Sequence, residues 1–188
     1  MIANLVTAMR RTLSKPGGRT RLRRDVRGVT AIEFGFVATP LMAIIIAILQ
    51  VTLTFFAQQN LETASERAVR KLMTGVAQTS GMTREQFKSL VCAGLPAFMK
   101  CQNVMVDVRT ATTFSSANTA APTITYDSNG NPNNSWSFAP GGAGAITIVQ
   151  IMYVWDVQKG PLGFDLATMS RGKRLLRATS VFKTESYS

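Results

Sequence analysis

The chain contains no histidine. That removes the side chain that most readily exchanges a proton near neutral pH, and with it the commonest metal ligand. Two cysteines, Cys92 and Cys101, are too few for a zinc cluster of the common spacing. Acids are scarce as well: ten Asp and Glu stand against 21 Lys and Arg, a formal charge of +11. The glycine-rich APGGAG (139–144) is no phosphate loop, because it lacks the Lys-Ser/Thr pair and no helix directly follows it. Ser and Thr are frequent, but with no histidine and no placed lysine none has a base to activate it. These absences leave no catalytic constellation, no metal site and no cofactor motif. The expectation is a protein that is not an enzyme.

The most informative absence is local. From Phe34 to Ala57 there are 24 consecutive residues without a charge. A helix rising 1.5 Å per residue would carry them about 36 Å, against a bilayer core of about 30 Å. A cleaved secretory signal has a shorter apolar core and a small-residue cut after it. A buried core helix of this length would need a larger domain than the roughly 110 residues that follow. A single membrane span is the expected reading, with a lipid bilayer around it and Pro40 its one breaker.

What is abundant, basic charge, is concentrated. Residues 1–28 hold eight of the 21 Lys and Arg and one acid, Asp25, whereas the rest of the chain is close to balanced. An arm such as SKPGGRTRLRRDVRG cannot bury a core. It lacks interleaved aromatics, and anionic lipid is an adequate partner for a juxtamembrane cluster, so no nucleic-acid partner is expected. The positive-inside rule places the arm in the cytoplasm and the C-terminal region outside. An outside compartment is oxidising, so Cys92 and Cys101 are candidates to close a loop around AGLPAFMK; two free buried thiols are the alternative.

Beyond the span the apolar pattern narrows rather than stops. Leu61, Ala64, Ala68, Leu72 and Val76 recur at steps of three or four, predicting one helix from about Thr30 to about Gln78 with Glu66 and Arg70 as a helical ion pair. Gly75 weakens its end and Gly81 stops it. Thr83 and Gln86 have capping-box spacing and open a short helix with Phe87, Leu90 and Val91 inward. Strands are predicted near 102–110, 145–157 and 173–185, with a Gly-, Asn- and Pro-rich loop over 111–144. Trp136 and Trp155 read as core or edge aromatics, and RGKRLLR (171–177) as a solvated strand face. The fold class is α+β: a long N-terminal helix, membrane-spanning in its first half, packed on a small antiparallel-sheet headpiece of two layers. The divisions are 1–28 basic leader, 29–57 span, 58–80 amphipathic half of the helix and 81–188 headpiece.

The junction reads Gly28-Val29-Thr30-Ala31-Ile32-Glu33-Phe34: basic arm, glycine, four residues, glutamate, aromatic, membrane helix. That order resembles the prepilin-peptidase site of type IV pilins. More narrowly, RGVTAIEFGFVATPLM and the tail RLLRATSVFKTESYS are similar to the TadE-like family, the pseudopilins of tight-adherence (Flp-type) pilus systems. The resemblance implies a pilin-like helix and cleavage of the leader between Gly28 and Val29 by a prepilin peptidase on the cytoplasmic face. Glu33 would serve recognition or assembly, and Phe34 holds a place where the family often has an aromatic. The sequence as given would then be the unprocessed precursor.

The implied function is that of a structural minor pilin, priming or capping a Flp-type pilus for surface attachment. Its partners would be the peptidase, other pilins and pseudopilins, and the inner-membrane assembly platform. It would lie in the inner membrane with a periplasmic headpiece, or in the extracellular pilus after assembly. The alternative is an uncleaved single-span anchor, a scaffold or binding protein of a secretion machine.

Overall fold

The computed structural model describes residues 28–128 and 132–187; the basic arm upstream of Gly28 lies outside them. The chain divides into two compact units, the first ending at Ile45 and the second beginning at Ile46. Helix α1 (Val29–Met73) runs 45 residues with Pro40 inside it. In the first unit its side chains are almost all exposed, Ala43 being a buried exception.

In the second unit α1 acquires a buried face. Ala57, Leu61, Ala64, Ala68 and Leu72, spaced by three or four, are all buried, and Val69 with them. They meet one face of a three-stranded antiparallel sheet ordered β1 (Val104–Ala111), β2 (Ile146–Asp156), β3 (Lys173–Lys183). Register pairs Val106 with Ile151 and Ile151 with Ala178, so alternate residues Val104, Val106, Val108, Val149, Ile151, Tyr153, Leu176 and Ala178 form the surface under the helix. Fully burying a Leu such as Leu61 stabilises by about 1.5–3 kcal/mol.

Helix α1 stops earlier than its periodicity suggests. It ends at Met73; Gly75 adopts φ +77, and only a single turn, α2 (Val76–Thr79), follows. A Cβ at Gly75 would collide with the Tyr187 ring, so the position needs both the left-handed backbone and the missing side chain. Val76, beyond that break, is exposed rather than part of the apolar face. Glu66 and Arg70 make no ion pair with each other or with any described residue.

Helix α3 (Arg84–Ala93) starts at a reciprocal capping box, with the Thr83 side chain accepting from the Gln86 N–H and Gln86 from the Thr83 N–H. Phe87 and Val91 point into the core, but Leu90 stays 40% exposed. One step of a ten-residue helix takes it off the narrow buried stripe.

The sheet's other face is covered too, which adds a layer to the two expected. The described parts of the connection, 112–128 and 132–145, fold back, so Ile124, Tyr126 and Trp136 pack with Met105, Met152, Val154 and Leu175. Along the free edge of β1, Val108 donates to Ser137 O and accepts from Ala139 N. That double cover explains why β2 reads as a nearly unbroken apolar run. Beneath the loop Asp107 is buried; it takes the Ser137 N–H at 2.9 Å and pairs with Arg109 at 2.7 Å. Gln150, also buried, accepts from Arg109 and donates to Ala120 O.

The basic run of β3 is tied down rather than simply solvated. Lys173 pairs with Asp156 at 2.8 Å, Arg174 donates to Leu166 O, and Arg177 donates to Thr119 O. At β3's outer edge Gln58 of α1 both donates to Arg177 O and accepts from Arg177 N.

Candidate functional site

At its start α1 is built from β-branched and apolar residues, Val29, Thr30, Ala31 and Ile32. Such a turn has modest intrinsic helix propensity and gains most where backbone groups have no water to bond. Gly28 immediately precedes the helix; it is exposed, and a Cβ there would meet nothing within 4 Å. Among the described residues the Gly28–Val29 bond is therefore unobstructed. Val29 and Phe34 are exposed, Phe34 at 73%.

Glu33 opens the second turn, since no acid lies in the first. Its carboxylate is exposed and makes no hydrogen bond or ion pair with any described residue. From Glu33 onward the next charged residue of the helix is Glu62. An ionised carboxylate at the edge of such a run is costly in lipid unless something outside this stretch of chain pairs with it. Gly28, Val29, Glu33 and Phe34 are thus gathered within two turns at one end of the helix, offering a peptide bond open on the side of the described residues, an apolar ring and a carboxylate with no partner among the described residues.

The cysteines lie in the second unit, far along the chain from that junction. Cys92, at the end of α3, and Cys101, just before β1, are joined by a disulfide with Cα atoms 5.4 Å apart. The loop it closes carries buried Met99, and the Lys100 N–H donates to the Tyr153 hydroxyl at 2.9 Å.

A crevice of about 550 Å³ lies along β1, lined by Arg84, Glu85, Lys88, Val104, Val106 and Trp136. Arg84 donates to Trp136 O and pairs with Glu85. A hydrogen bond from its own backbone amide, helped by Arg84, holds the Glu85 carboxyl below its ordinary value. Burial, reinforced by the like charge of Arg84, draws the Lys88 amine down. Among the described residues no three Cys, Asp or Glu side chains are grouped to share a metal ion.

Two structural details of the second unit are not legible as such in the sequence. Asp107 and Arg109, two apart in VMVDVRT, share one strand face, and that spacing was the available signal for their pairing. Gln58 carried none, because its partner is backbone 119 residues away.

Helix α1 is long and apolar enough to cross a membrane, with only 6% of its most apolar 18-residue window buried in the protein. Residues 28–70 match the model of a family described as TadE-like protein. No curated protein and no solved structure matches the chain.

Proposed function

We propose that this chain, whose residues 28–70 match the TadE-like model, is a TadE-like minor pilin of a tight-adherence pilus, matured by cleavage between Gly28 and Val29 and working without catalysing a reaction. The observation that carries this reading is positional. The family match begins at Gly28, the residue just before an unobstructed bond and a helix starting at Val29.

Cutting there would create an α-amino group at Val29, with a reference pKa of about 7.7–8.0 and so largely protonated at neutral pH. Glu33 has no partner among the described residues, and an axially staggered neighbour would offer it that ammonium. Pairing across subunits would relieve the cost of a carboxylate at the membrane and set the stagger between helices. The basic arm favours a cytoplasmic N-terminus and an exported headpiece. A headpiece of this bulk suits a priming or tip position better than every position of a thin fibre. The peptidase, other pilins and the membrane assembly platform are the partners this role requires.

Intact mass and N-terminal sequencing of the membrane-extracted protein, from cells with and without their prepilin peptidase, test the reading. A chain starting at Val29 only when the peptidase is present is the expected result. The uncut chain in both strains would overturn it and leave a fixed membrane anchor.

A further inference from the structure

Besides the buried Ala57, two headpiece loops contact the charge-free run of α1 within the second unit. Gln50 donates to Gln158 O at 3.3 Å, and Gly160 lies so close that a Cβ there would fall 2.8 Å from Gln50 Oε1. Phe98, in the disulfide-closed loop, packs its ring on Phe56 with centroids 6.0 Å apart. Loops 94–100 and 158–164 are thereby held beside helix residues that the sequence assigns to lipid.

Both loops present apolar side chains outward. Leu162 is 83% exposed, the highest value among the exposed large hydrophobic residues described, and Phe98 is 45% exposed. Leu162 also holds φ +56, a left-handed conformation disfavoured for a branched side chain. Its turn is closed by Gly160 N–H to Phe164 O at 2.7 Å and Phe164 N–H to Pro161 O at 3.1 Å. A leucine is thus kept at an exposed tip against both its hydropathy and its backbone preference. Each loop adds one exposed lysine, Lys100 or Lys159, and neither 94–100 nor 158–164 contains an acid. Apolar tips flanked by lysines whose stems can lie along acyl chains are the composition of a membrane-interface contact.

We infer that these two loops rest on the bilayer surface, with Leu162 and Phe98 in the headgroup–acyl boundary and Lys100 and Lys159 at headgroup phosphates. The inference rests on reading α1 as a membrane span. It makes the headpiece a docked body with a fixed height above the lipid rather than one tethered only by its helix.

The test places a spin label on the full chain in phospholipid vesicles, at Leu162→Cys, Ile46→Cys or Phe114→Cys, one at a time. Phe114 is also apolar and exposed, at 58%, but follows the opposite end of β1 from the disulfide loop. Accessibility to oxygen relative to a water-soluble nickel chelate reads depth. The expected order is label 46 deepest, label 162 at interfacial depth, and label 114 aqueous. Labels 162 and 114 equally aqueous, with 46 in lipid, would overturn the inference while leaving the span intact. Label 46 in water would overturn both. Label 162 shielded from both reagents would show a protein partner there and overturn the lipid assignment.

Discussion

Helix α1 is written in two styles, and the contrast between its halves teaches what each half is solvated by. Before Ala57 the helix is apolar on every side and exposed on nearly every side. Among the described residues, fifteen of the twenty exposed large hydrophobics lie in α1 at or before Phe56. After Ala57 apolar residues keep to one stripe, that stripe is buried against the sheet, and Glu62, Glu66, Arg67, Arg70 and Lys71 occupy other positions. An all-apolar surface of that size is costly in water and neutral in lipid or against like helices. The second half, by contrast, is an ordinary water-soluble helix with a core to serve.

Five variants sharpen that contrast, each read by denaturant unfolding of the full chain in detergent. Leu61→Ala, at a fully buried site, is expected to lose about 2–5 kcal/mol. Leu49→Ala, the same chemical change at 63% exposure, should stay within about 0.5 kcal/mol; equal losses would erase the distinction between the halves. Replacing both Cys92 and Cys101 by Ala should cost about 2–3 kcal/mol, the chain-entropy value for a closed loop of about ten residues. Gly75→Ala should cost about 1–3 kcal/mol through its positive φ and the Tyr187 ring. The double change with Tyr187→Ala should recover the steric share, and no recovery would place the whole cost in the backbone. Smallest on this scale is Glu33→Ala, expected within about 0.5 kcal/mol for headpiece unfolding. Its effect belongs elsewhere: membrane insertion retained, incorporation into pili reduced. Normal incorporation of that variant in a pilus-shearing assay would remove the pairing role given to Glu33.

Much of this architecture was legible beforehand because it is written in local periodicities. The long helix, the capping box at Thr83 and the three strands follow from spacing and composition, to within a residue or two for most ends. The misses share one cause, contacts between residues distant in sequence. Periodicity carries α1 through to Gln78, but Gly75 ends it in a left-handed turn against Tyr187, over a hundred residues away. Composition marks 111–144 as loop, yet does not say that Ile124 and Trp136 fold onto Met152. Of the junction, the sequence carries the residue types and their order; it does not carry the exposure of Gly28, nor that Glu33 has no partner among the described residues.

Gln58 has a consequence for how this sheet meets other sheets. Strand β3 lies at one edge, where exposed backbone would invite another chain to add itself. Near the middle of that edge, the Gln58 amide already occupies both the N–H and the C=O of Arg177, as a neighbouring peptide would. An intruding strand could align along Thr179 to Lys183 but would meet the helix at Arg177 and be cut short. One amide side chain divides a long adhesive edge into segments too short to hold a stranger.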